Sequence, residues 1–192
     1  MKKLLFVNAC VNRGTSRTCR IAGELVSLLE KREDCEVSEL ILEEEKMQAL
    51  TSETLNRRSA LSAGKDFSGE MFRYARQFRE ADCVVIAAPY WDLGFPAMLK
   101  IYIESVSIPG IVYRYGECGP AGLCRAEKIY YVTTRGGHVD DEKDLGYVTM
   151  AELGKLFGIG DVRCISLNGL DIPADDIDSI VKKVIDSLPD RL

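Results

Sequence analysis

The sequence predicts an α/β fold: a doubly wound parallel sheet of five strands in the order 2-1-3-4-5, with helices on both faces in three α/β/α layers. Three observations predict it. Short apolar runs without strict alternation stand at 3–8, 82–88, 127–134 and 161–167, as expected of strands covered on both faces. Segments with apolar residues at helical spacing separate them. The residues least suited to a purely structural role gather in the loops after strands one, three and four.

The elements follow in order. Lys3 to Asn8 is the first strand, and a polar loop runs from Ala9 to Ser16. Cys19, Ala22, Leu25, Val26 and Leu29 recur at helical spacing, which gives an amphipathic helix over 16–32. Glu36 to Leu42 is the second strand. Glu43 to Lys46 is a charge cluster of the kind that faces solvent. A short helix over 51–62 starts at a Thr51 or Ser52 cap, and another covers Met71, Ala75 and Phe78. Asp82 to Ala88 is the plainest buried strand. Pro96 stands in the first turn of the next helix, where a missing N–H is harmless. Gly and Pro punctuate 108–124, which predicts an excursion or hairpin at the edge of a ligand pocket and outside the core. Glu127 to Thr134 is the fourth strand, 145–157 a helix ended by Gly158, and Asp161 to Leu167 the fifth strand. Ile177, Ile180, Val181, Val184, Ile185 and Leu188 form the last amphipathic helix.

A chain of 192 residues with 46% hydrophobic and 29% charged residues is expected to form one domain over 1–192. Its net charge of -5 argues against nucleic acid as a partner. Asn8 and Arg13 interrupt the first apolar run, so it reads as a strand and not as a signal peptide. No run is long enough to cross a bilayer, and a cytoplasmic protein without membrane contact is expected. The seven cysteines include no C-x-x-C, and neither a disulfide framework nor a metal site is expected. Cys19, Cys83 and Cys164 fall in apolar patterns and read as small core residues; Cys118 and Cys124 flank a Gly-Pro turn.

In a sheet of this order, strands one, three and four are adjacent, and their carboxyl ends line one crevice. The first loop, Asn8 to Thr18, brings Arg13, Thr15, Ser16, Arg17 and Thr18 to a helix start. Free N–H groups and the positive end of the helix favour an anion there, and hydroxyls and guanidiniums add donors. Neither G-x-x-x-x-G-K nor G-x-G-x-x-G is present, so a monophosphate suits it better than a pyrophosphate. Capping of the helix by Thr15 or Ser16 is the structural alternative. The second loop holds the only Trp: Pro89, Tyr90, Trp91, Asp92 and Leu93 precede Gly94-Phe95-Pro96. It offers flat apolar walls and backbone N–H groups between two prolines; a buried aromatic turn is its alternative. The third loop is Thr133-Thr134-Arg135-Gly136-Gly137-His138, whose glycines allow close approach of backbone to a ligand. His138 is the only histidine and a candidate proton donor.

These residues carry a family resemblance. Pro89-Tyr90-Trp91-Asp92-Leu93-Gly94-Phe95-Pro96-Ala97-Met98-Leu99-Lys100 resembles the P-x-x-x-x-G-x-P-A-x-L-K pattern of the flavodoxin-like NAD(P)H quinone reductases and FMN-dependent azoreductases, the flavodoxin-2 group. Thr133-Thr134-Arg135-Gly136-Gly137 is similar as well, and Arg13, Ser16 and Thr18 match its phosphate loop more loosely. The resemblance implies a flavodoxin-like fold, FMN, a homodimer with the flavin at the subunit interface, and ping-pong two-electron transfer from NADH or NADPH to a quinone, azo or nitro compound. It implies that Arg13, Ser16 and Thr18 hold the phosphate. Pro89, Tyr90, Trp91, Asp92 and Leu93 would lie along the ring, and Thr133, Thr134, Arg135, Gly136 and Gly137 at its pyrimidine edge. The chain departs from the family at Asp92, where Asn or an aromatic residue is usual. A carboxylate there motivates the alternative of a flavin-binding electron carrier or redox sensor with little NAD(P)H activity. A doubly wound protein that binds another phosphorylated ligand in the first loop is the second alternative.

Overall fold

The computed structural model describes residues 1–172 and 176–191. Its main sheet has five parallel strands: β1 (Lys2–Asn8), β2 (Cys35–Ile41), β3 (Cys83–Ala87), β6 (Lys128–Thr134) and β7 (Asp161–Leu167). They lie in the order β2-β1-β3-β6-β7, the doubly wound arrangement the sequence predicts. Between β3 and β6 the chain forms a separate antiparallel hairpin, β4 (Tyr113–Gly116) and β5 (Gly119–Gly122).

Alternation along each strand divides the core into two layers. Leu5, Val7, Val84, Ile86, Ile129 and Tyr131 face α3 (Arg73–Glu80), α4 (Ala97–Val106) and α5 (Leu145–Phe157). Leu4, Phe6, Val85, Ala87, Tyr130 and Val132 face α1 (Arg17–Glu33) and α6 (Ile177–Ser187). Helix α1 buries Thr18, Ile21, Ala22, Leu25, Val26 and Leu29 on one stripe. The Ser16 hydroxyl caps it by accepting the Cys19 N–H at 3.2 Å, and Asp34 ends it in the left-handed region at φ 48°.

Helix α2 (Ser52–Ala63) has a reciprocal capping box between Thr51 and Thr54, yet it buries none of its residues fully. Arg58 anchors it by donating to the Glu104 carbonyl at 2.9 Å. The segment 108–124 is not wholly outside the core, contrary to the expectation from its Gly and Pro content. Ile108, Ile111, Val112 and Tyr113 are buried against Phe157 and the rest of the α3–α4–α5 layer. Only the hairpin beyond them projects. Its root is pressed against the end of α5: a Cβ on Gly122 would sit 2.1 Å from the Gly158 nitrogen, and Gly158 itself caps the helix at φ 85°. Among the described residues no helix is long and apolar enough to cross a membrane.

Candidate functional site

Parallel pairing of β1, β3 and β6 puts their carboxyl ends on one rim. The three loops stay together beyond the strands. The Ala9 N–H donates to the Ala87 carbonyl at 2.8 Å, Ala88 to Val132 at 3.0 Å, and Tyr90 to Thr134 at 3.1 Å. Thr18 on α1 and Thr134 at the end of β6 share a hydroxyl–hydroxyl hydrogen bond of 2.7 Å. Segments far apart in sequence thus meet on a common rim.

The first loop turns on Asn12, at φ 55°, whose carbonyl accepts the Thr15 and Ser16 N–H groups. Arg13, Gly14, Thr15, Ser16 and Arg17 line an open cleft beside the positive end of α1. Arg17 is exposed and without an ion pair among the described residues. Arg13 already pairs with Glu44 at 2.6 Å, an exposed contact easily exchanged for a ligand anion. Thr18 is buried and its hydroxyl is taken by Thr134, so it joins the first and third loops instead of facing the cleft.

The second loop is a two-residue hairpin. Trp91 and Gly94 exchange both backbone hydrogen bonds, at 3.2 and 2.8 Å, and Asp92 and Leu93 have φ of 49° and 67°. Positive φ at both central positions is the mark of a type I′ turn. Pro89 and Tyr90 are half-buried at its base, whereas Trp91 and Leu93 are 47% and 65% exposed. Asp92 is exposed at the tip. The apolar wall read from the sequence is therefore offered outward and not consumed by the core.

The third loop departs most from its sequence reading. Arg135 does not present its side chain to the rim: it is fully buried, with ion pairs of 2.8 Å to both Asp141 and Asp144 and a hydrogen bond to the Val139 carbonyl. Burial alone would lower its pKa, but the hydrogen bonds and charges of the two aspartates outweigh this and hold the guanidinium above its ordinary value. Asp144 is also the N-cap of α5, accepting the Tyr147 N–H at 3.0 Å. The arginine thus fixes the helix start against the loop. Gly136 is small because Asp171 fills the space beside it: a Cβ there would lie 2.0 Å from the Asp171 carboxylate. Gly137 alone of the pair has open space around it. Thr133 is buried beside Tyr131, and their two hydroxyls have no partner among the described residues other than each other. His138 is exposed and lies against Gly169.

Sequence reading overlooked three contributors. Asp144 and Asp171 lie outside every motif, and their roles arise from contacts made only on folding. Cys19 is half-buried and packs against the α1–α6 layer of the core, as its apolar pattern suggests, and it also lines the cleft. Its place in the first turn of α1 was the available signal.

The family model described as a flavodoxin-like fold, Flavodoxin_2, matches residues 2–191. The chain is 32% identical over 189 residues to an "FMN-dependent NADH:quinone oxidoreductase" of Clostridium perfringens, covering 97% of this chain and 96% of that protein. It is also 32% identical over 202 residues to an "FMN-dependent NADH:quinone oxidoreductase 2" of Clostridium acetobutylicum, covering 100% and 98%. Among solved structures, an azoreductase from Bacillus anthracis superposes with a TM-score of 0.86 at 23% identity, over 100% of this chain and 98% of that one. An NAD(P)H:quinone oxidoreductase from Methanothermobacter marburgensis gives 0.76 at 18%, over 100% and 99%; these two show likeness of fold. From the match over nearly all of its length, the chain belongs to the Flavodoxin_2 family of flavodoxin-like folds.

Proposed function

We propose that the protein binds FMN across the carboxyl ends of β1, β3 and β6 and transfers two electrons from NADH or NADPH to quinone, azo or nitro compounds. The observation that carries this reading is the convergence of an anion-binding helix start, an outward apolar hairpin and an open Gly137 backbone on one rim. The names of relatives that align over almost the whole chain support it.

The residues fit the cofactor. Thr15, Ser16 and Arg17, with Arg13 released from Glu44, hold the phosphate at the positive end of α1. Trp91 and Leu93 cover the flat ring and exclude water, and Tyr90 sets the hairpin against β6. Asp92, at the exposed tip, contributes backbone and keeps its carboxylate in solvent. The open backbone of Gly137 meets the polar edge, where a preorganised N–H donor stabilises added negative charge. Arg135 positions this loop through Asp141 and Asp144. FMN supplies the hydride and electron chemistry when bound. Donor and acceptor use the same space in turn, in ping-pong order, and His138 delivers a proton to the acceptor from its imidazole. A second copy of the chain completes the crevice: Trp91, Leu93, Leu145 and Val148 are exposed apolar residues on the hairpin and on the start of α5, which Phe95 joins beside Gly146.

Absorption spectra of the purified protein, before and after adding FMN and then NADH or NADPH, test the reading. Flavin bands that bleach with either nucleotide and return with a quinone are expected. Failure to take up FMN on reconstitution defeats the proposal. Flavin uptake with turnover far below ~1 per second points instead to an electron carrier.

A further inference from the structure

The turn after β2 brings an acidic side chain against the first loop. β1 and β2 pair in parallel with Asn8 opposite Ile41, so the chain leaves both strands on the same rim. Just beyond the strands, the Leu42 N–H donates to the Asn8 carbonyl at 3.0 Å. The chain then folds over: the Glu44 N–H donates to the Ile41 carbonyl at 3.0 Å, and the Glu45 N–H to that of Leu42 at 3.3 Å. Leu42 is buried. Glu45 is pinned from α3 by Arg73 and by the Tyr74 hydroxyl, which donates to it at 2.8 Å. The turn is thus tied on both sides of Glu44, whose carboxylate accepts from the Arg13 guanidinium at 2.6 Å. The adjacent acid, Glu43, lines the cleft beside Asn12, Arg13 and Thr15 and has no ion pair among the described residues.

A guanidinium grips a carboxylate or a phosphate through the same planar fork of N–H donors. Glu44 and a phosphate in this cleft therefore compete for one side chain. The Arg13 and Glu44 side chains are 37% and 60% exposed, so the pair is a weak one. It is strong enough to lower the affinity for a phosphate severalfold and too weak to keep one out.

We propose that Glu44 is a specificity-determining residue of the cofactor site: it competes with the FMN phosphate for Arg13 and so limits the preference for FMN over riboflavin. This rests on the reading of the first loop as the seat of the FMN phosphate. With a phosphate in the cleft, Arg13 turns from Glu44 to the phosphate, and the carboxylate returns to solvent. Riboflavin has no phosphate and leaves the pair intact, so Glu44 weakens the binding of FMN alone. Glu43 makes no contact with Arg13 that a phosphate must break.

The test is the affinity of the full-length protein, freed of flavin, for FMN and for riboflavin by titration calorimetry. Glu44→Gln is expected to tighten FMN about three- to fivefold and to leave riboflavin unchanged. Glu43→Gln removes the same charge from the same turn and should alter either affinity by less than about 1.5-fold. Arg13→Ala should weaken FMN, and adding Glu44→Gln to it should give no gain. FMN affinity unchanged or lowered by Glu44→Gln overturns the proposal. So does an equal gain for riboflavin, an equal gain from Glu43→Gln, or a gain that survives Arg13→Ala. Glu44→Ala replaces Glu44→Gln should that variant fold poorly. If the parent protein takes up no FMN, the cofactor reading fails by itself, and inorganic phosphate followed by phosphorus NMR decides the role of Glu44. Phosphate bound about threefold or more tightly by Glu44→Gln then upholds the competition; equal or undetectable binding overturns it.

Discussion

Leu93 stands in the left-handed region at φ 67° while 65% exposed, so neither backbone preference nor burial explains a leucine there. An Asp-Gly pair is the favoured centre of such a turn. Leu93→Gly is therefore expected to raise unfolding free energy by about 0.5–1 kcal/mol in urea, relief of strain exceeding the added chain entropy. The same variant should bind FMN several-fold more weakly if the side chain covers the ring. The helix cap at Ser16, given as the structural alternative, was legible from the sequence. Side-chain chemistry was misread for Arg135 and Gly136, whose partners Asp144 and Asp171 come from other segments.

At the scale of elements, α1 and α5 bear the site. Arg17 is exposed at the start of α1 and has no ion pair among the described residues, so Arg17→Ala should change stability by less than about 0.5 kcal/mol. It should weaken FMN binding about tenfold by titration calorimetry, the loss of one charge-assisted contact. At α5, Arg135 and Asp144 are both fully buried. Asp144→Ala leaves the guanidinium with Asp141 as its one carboxylate partner among the described residues and removes the helix cap. A loss of about 3 kcal/mol or more in urea unfolding is expected. Asp144→Asn keeps an oxygen for the Tyr147 N–H and should lose less. Most elements were readable because periodicity is local: the strands, the α1 stripe and the Thr51 cap all rest on neighbouring residues. Residues 108–113 were not, since Gly and Pro nearby signalled an exposed excursion while Ile108, Ile111 and Val112 were buried by α5 from the far side of the chain.

For the whole molecule, five parallel strands place every loop of interest on one rim, and this arrangement was legible from strand order alone. The proposed completion of the site by a second copy rests on family likeness alone, because patterning within one chain does not reveal what covers Trp91, Leu93, Leu145 and Val148. Leu145→Asp should halve the mass measured by sedimentation and lower FMN affinity together; retention of a dimer would remove that face from the interface. The contact of Gly122 with Gly158 has a practical consequence. With backbone against backbone at its root, the hairpin cannot accept even a methyl group there, while the stretch from Glu117 to Gly119 lies open to water. A fluorophore attached at Cys118 would accordingly ride on an arm clamped at one end. Its depolarisation would report whether that arm moves when substrates are added, without disturbing the sheet beneath.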